Sequence, residues 1–147
     1  MGATRRFDIP LLSNSLGHVI EWASELPTCS QLEIGCFGSS TGAAAALVAA
    51  AHHPEVRAVV SRGGRSDLAS GYIANLQTPV LLLAGSKDTE VIRWNRETLK
   101  ILPGIRKLTL IEGAGHLFEE PGTLDQVASL AADWFTLHLH RKPAPVL

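Results

Sequence analysis

The chain has 147 residues, 46% of them hydrophobic and 18% charged, which suits one folded domain with a core of its own and excludes a disordered polymer. Thirteen basic and fourteen acidic residues leave a net charge of −1 with no block of either sign, an argument against nucleic acid as a partner. No apolar run has membrane-spanning length and the opening residues carry no apolar signal core, so no membrane association and a cytoplasmic location are expected.

Residues 8–26 are predicted to form an amphipathic helix. Asp8 can cap it, Pro10 suits its first turn, and Ile9, Leu12, Leu16, Val19, Ile20, Ala23 and Leu26 recur at helical spacing. Gly17 and His18 interrupt it mildly and Pro27 ends it. Cys29 and Cys36 follow; two cysteines make neither a disulfide framework nor a zinc site, and both are expected to be small, buried and reduced. Residues 31–37 read as a strand running into Gly38-Ser39-Ser40-Thr41-Gly42, and residues 41–52 as an alanine-rich helix leaving it. His52 and His53 close that helix, where imidazoles suit the dipole.

A second strand is predicted over residues 56–61, followed by the loop Arg62-Gly63-Gly64-Arg65-Ser66-Asp67. Residues 79–84 are continuously apolar, as for a strand buried on both faces. After the loop 85–88, a helix over residues 89–102 puts Val91, Ile92, Leu99 and Leu102 on one side. A fourth strand covers residues 106–111 and ends in Glu112-Gly113-Ala114-Gly115-His116. The last helix spans residues 122–140, and the proline-containing tail 141–147 is expected to fray. Strands alternating with helices specify a parallel sheet with crossover helices.

The turn after the first strand has the G-x-S-x-G pattern centred on Ser40. A sharp strand-to-helix turn lifts the central hydroxyl clear of the sheet. Gly38 and Gly42 are expected because a side chain at either place would clash. By itself the pattern reads equally as a glycine-bounded helix cap. Sites in parallel sheets form at the carboxyl ends of the strands, and here Ser40, Asp88 and His116 follow the first, third and fourth strands. A serine needs a base to take its proton, an imidazole can do so near neutral pH, and a carboxylate fixes the imidazole tautomer. Each member has a plainer reading: Asp88 as a helix cap with Asp67 as a rival acid, and His116 as a solvated loop histidine.

Residues 37–46, 61–69 and 113–122 resemble the α/β-hydrolase superfamily, and within it the dienelactone-hydrolase-like branch with a serine nucleophile. The similarity runs from about Arg6 to His140. It implies a three-layer α/β sandwich with a shortened, mostly parallel sheet of about four strands, in a single truncated domain over residues 1–147. It implies Ser40 as nucleophile, Asp88 as acid and His116 as base. Dienelactone hydrolases proper carry cysteine where this chain has Ser40. Members of the family also have further strands before the segment matching residues 8–26, and a loop there completes the oxyanion hole. In this chain only the Thr41 amide is assigned to that role.

The expected activity is carboxylesterase-like hydrolysis of small short-acyl esters through an acyl-enzyme, with no metal and no cofactor. Ser39, Arg62 and Arg65 are candidate substrate contacts, the arginines for an anionic group. A thioesterase or lactonase with the same triad, or an inactive truncated interaction module, are the alternatives. The edge of the first strand left open by the absent segments is expected to be covered in a homodimer or higher homo-oligomer, with helix 8–26 shifting or swapping to cover it.

Overall fold

Residues 8–140 are described by the computed structural model of the chain. The tail beyond His140, expected to fray, lies outside them. In chain order the elements are α1 (Ile9–Glu25), β1 (Ile34–Ser39), α2 (Thr41–His52), β2 (Val56–Arg62), a 3-10 turn (Ser66–Ala69), β3 (Val80–Gly85), α3 (Thr89–Ile101), β4 (Arg106–Ile111) and α4 (Thr123–His138). The four strands form one parallel sheet in the order β1-β2-β3-β4.

Alternation along the strands sends successive side chains to opposite layers. Val59, Val80, Leu82 and Cys36 pack toward α1 and α2, with Leu99 of α3 against the same cluster. Ala58, Val60, Leu81 and Leu83 face Val127, Ala131 and Trp134 of α4. The result is the three-layer α/β sandwich that the resemblance implies, built on the parallel sheet expected from the alternating elements, with the apolar strand β3 buried at all six positions. Crossovers of one hand place α2 and α3 on one face, as the right-handed rule requires.

Local chemistry explains most element ends. Asp8 Oδ1 accepts a hydrogen bond from Leu11 N at 3.0 Å, and Pro10 occupies the first turn of α1. β1 begins at Ile34, three residues later than predicted, because residues 26–32 are taken up by turn bonds: the amides of Cys29 and Ser30 donate to Leu26 O, and Leu32 N donates to Cys29 O. Gly17 does not interrupt α1. It is where α1 meets the end of α2, since a Cβ there would lie 2.5 Å from His53 Nε2. His52 Nδ1 lies 2.9 Å from Val48 O, on the last turn of α2. Within the chain α1 lies against α2 and does not extend the sheet, so the outer edge of β1 has no partner strand among the described residues.

The two glycines of the turn differ. At Gly38 a Cβ would come 2.5 Å from Gly42 O, so strand and helix do approach too closely for a side chain. At Gly42 a Cβ would meet nothing within 4 Å, and the expected clash is absent. Gly42 points along the open side of β1, away from the close approach, where it lines a groove of about 250 Å³ with Val19, Cys36 and Phe37.

Candidate active site

Ser40 joins β1 to α2 with φ 50 and ψ −126, a conformation an L-residue adopts only when its surroundings impose it. The constraint comes from the last residue of β2 and the loop after it. Ser40 N donates to Arg62 O at 3.4 Å, and Ser40 O accepts from Arg65 N at 3.0 Å and from Ala43 N at 3.2 Å. Ser40 occupies the cap position of α2, yet its hydroxyl makes no cap bond. Instead Ser40 Oγ lies 3.0 Å from His116 Nε2.

Asp88 likewise stands at the cap position of α3. Its backbone carbonyl accepts from Ile92 N at 3.0 Å, but its carboxylate makes no cap bond. Asp88 Oδ2 lies 2.7 Å from His116 Nδ1. The side chain of Asp88 is 13% exposed and that of His116 42%, so the acid is covered while the imidazole opens to solvent on one side. The geometry therefore links carboxylate, imidazole and hydroxyl in one relay across three strand ends. With Nδ1–H donating to Asp88, Nε2 is left as an acceptor facing the hydroxyl, the tautomer a general base needs.

The loop carrying His116 is braced on both sides. Gly113, at φ 79, donates its amide to Ser86 Oγ at 2.7 Å, and Lys87 N donates to Ala114 O at 3.0 Å, tying the His116 loop to the Asp88 loop. Glu120 Oε1 accepts from Gly115 N at 3.2 Å. Its carboxyl is held below the usual carboxylate range by its own backbone amide first, then by that of Gly115, with Lys87 adding to the effect. Two residues after His116, Phe118 is buried at φ 54 and stacks under the Arg62 guanidinium at 5.4 Å. A Cβ at Gly63 would come 3.4 Å from His116 Nδ1, so the Gly63-Gly64 turn passes directly beside the imidazole.

Thr41 takes the first position of α2, where helix amides have no intrahelical acceptor and the dipole favours negative charge. Ser39 is the β1 partner of Arg62 in the sheet register. Arg62 Nε is buried with no hydrogen-bond partner among the described residues. Arg65 is not free to bind an anion: it forms a two-pronged pair with Asp67, at 3.1 and 2.9 Å, and lies over the Trp94 ring at 4.1 Å. That pair also occupies Asp67, while His116 Nδ1 is engaged by Asp88. Cys36 is buried in the core beneath the turn, and burial pushes its thiol up to about 11, so it stays protonated and unreactive near neutral pH. Among the described residues no group of three or more His, Cys, Asp or Glu side chains is arranged to hold a metal ion.

Sequence reasoning missed Glu120, Phe118 and Asn95. The first two lie in the segment 113–122 that carries the family resemblance, but nothing in it gives either residue a role. Asn95 did leave a signal, since it interrupts the apolar stripe Val91–Leu99 at helical spacing and is fully buried.

Comparison with known proteins adds a second line of observation. The model of the dienelactone hydrolase family matches residues 10–137. A dienelactone hydrolase from Anabaena variabilis of known structure is 47% identical, with a TM-score of 0.89 over 91% of this chain and 62% of that one. A monoacylglycerol lipase from Paleococcus ferrophilus shares the fold at 15% identity and a TM-score of 0.72, over 88% of this chain and 76% of that one. Two proteins of Mycobacterium tuberculosis, from strains CDC 1551 and H37Rv, are 52% identical over 134 residues and carry the provisional name phosphoribosyl transferase. The match covers 90% of this chain but 30% of theirs, so this chain spans under a third of the length of those relatives.

Proposed function

The chain belongs to the dienelactone hydrolase family, and from that premise we propose that it is a serine hydrolase that cleaves small carboxylic esters through an acyl-enzyme. The observation that carries this reading is the relay from Asp88 Oδ2 to His116 Nδ1 at 2.7 Å and from His116 Nε2 to Ser40 Oγ at 3.0 Å. In the reaction Ser40 Oγ attacks the acyl carbon as His116 Nε2 takes its proton. Negative charge gathers on the former carbonyl oxygen beside the Thr41 amide. The C–O bond to the alcohol then breaks, and His116 returns the proton to the departing oxygen. Water repeats the sequence on the acyl-enzyme and releases the acid. Asp88 holds the imidazole in the required tautomer and stabilises its charged form.

The unreactive Cys36 thiol supports a serine nucleophile over a cysteine one. The phosphoribosyl transferase name belongs to proteins of which this chain matches 30%, and we assign the matched part to the hydrolase. The same triad would also serve a thioester or a lactone. A second reading, an inactive interaction module, draws on the oxyanion side: Thr41 is the one amide among the described residues assigned to it. Losing one oxyanion donor costs about 10²–10³ in rate. We expect Ser40→Ala to abolish hydrolysis of a p-nitrophenyl acetate or butyrate substrate and to abolish labelling by a fluorophosphonate, in which Ser40 Oγ bonds to phosphorus and fluoride departs. Turnover by Ser40→Ala equal to that of the wild type would remove the serine mechanism. A wild type that neither turns over nor labels would favour the inactive module.

A further inference from the structure

The conformation of Ser40 has to be held by the loop at residues 62–65, because both its amide and its carbonyl bond to that loop. The same loop brings Gly63 against the His116 ring. What fixes the loop is the helix α3. Asn95 Nδ2 donates to Gly64 O at 3.2 Å and to Val91 O at 2.7 Å. Trp94 lies under the Arg65 guanidinium, and Thr98 Oγ1 lies 2.7 Å from Ser66 Oγ. Gly64 has no room to move toward the elbow, since a Cβ there would meet Ser61 Oγ at 2.1 Å and Ala43 Cβ at 2.6 Å.

Asn95 is fully buried, and its Oδ1 has no hydrogen-bond partner among the described residues. A leucine of similar size would remove the orphaned Oδ1 but leave the carbonyl of the buried Gly64 without its donor, so the need at this place is for a hydrogen-bond donor and not for bulk. What the amide uniquely supplies is a donor to Gly64.

We propose that Asn95 is a positioning residue: through the Gly64 carbonyl it holds the loop that splints Ser40 against His116. The helix that carries Asp88 at its start thereby also sets the nucleophile. The role rests on the hydrolase reading above, and it acts through backbone, without contact to substrate.

The test uses Asn95→Leu, which removes the donor and keeps the bulk, and Asn95→Ala, which removes the donor with the rest of the side chain. A misplacement of about 1 Å can cost about 10²-fold in rate. We expect kcat for p-nitrophenyl butyrate to fall by about 10- to 100-fold in both, with KM within about twofold of wild type. In Asn95→Leu the thermal midpoint should fall by a few degrees, from the orphaned Gly64 carbonyl, with the chain still folded at the assay temperature. By ¹⁵N NMR the His116 Nε2 signal of each variant should move to its position in Ser40→Ala, which lacks the hydroxyl partner. In the wild type the Asn95 side-chain amide protons should exchange with solvent at least tenfold more slowly than those of exposed asparagines.

Unchanged kcat in a folded variant overturns the proposal. So does a rate loss that tracks lost stability while the His116 signal stays at its wild-type position. If neither variant folds, rapid exchange of the wild-type Asn95 amide overturns it and slow exchange supports it. Failure of the hydrolase reading would look different: the wild type itself would show no turnover, and the NMR comparison would still report whether Asn95 governs the Ser40–His116 contact.

Discussion

Asp88 stands where a helix cap would stand and does not cap; Ser40 does the same two strands away in the sheet. In both, a side chain that could satisfy helix amides is drawn instead to His116. That diversion separates the catalytic reading from the plainer one, because a capping oxygen would be spent on backbone amides. Residue-scale geometry also divides the two glycines on either side of Ser40. Gly38→Ala should destabilise the chain by about 1–3 kcal/mol, since the methyl meets the Gly42 carbonyl and the backbone cannot yield. Gly42→Ala should be neutral or stabilising by up to about 1 kcal/mol, because the space is open and alanine favours the helix. Urea unfolding of the two variants checks the contrast. A loss in Gly42→Ala as large as that in Gly38→Ala would mean that another segment packs on the open side.

At the scale of the element, the ends of β1, β3 and β4 each bring one group to the relay, and two of the helices do a second task. α2 begins at Ser40 and presents its first amide; α3 begins at Asp88 and buries Asn95 against Gly64 of the loop that Ser40 bonds to. The last helix, α4, covers the other face of the sheet and ends on a histidine. His138 stacks on Trp134 with ring centroids 4.3 Å apart, and its Nε2 is buried without a partner among the described residues. Burial first, and the neighbouring His140 second, hold its pKa below the ordinary imidazole value of 6.5. The unfolded chain therefore binds that proton more readily. The stabilising contribution is present above about pH 6.5 and is lost as pH falls through the lowered folded-state value. The thermal midpoint of the wild type should fall more between pH 7.5 and pH 5 than that of His138→Gln. Equal falls would assign the acid sensitivity elsewhere.

For the whole molecule, the sheet among the described residues ends at β1, whose outer edge has no partner strand there. Phe37 is 50% exposed and Val19 56%, and both line the groove along that unpaired edge. An exposed strand edge beside apolar side chains is a template for another strand. We expect the chain, on its own, to self-associate there, by pairing with a second copy. Light scattering should give a mass above one chain at micromolar concentration, and Phe37→Lys should bring it down. A single-chain mass throughout would leave the edge to a segment like those of the longer relatives, since this chain spans 62% of the Anabaena variabilis enzyme.

The amino-acid sequence by itself determined the order and kind of the elements, because periodicity, caps and apolar runs act over a few residues. It also placed Ser40, Asp88 and His116 at strand ends, since a parallel sheet gathers its carboxyl-end loops on one side. The tertiary structure alone decided which of those loops touch. Ser40 and His116 stand 76 residues apart in the chain and 3.0 Å apart in space, a distance set by sheet order and crossover hand that no local pattern encodes. The same long-range packing left Gly42 facing open space and joined a buried asparagine on α3 to the carbonyl of Gly64, 31 residues away, whereas Arg65 and Asp67, two residues apart, pair with each other locally.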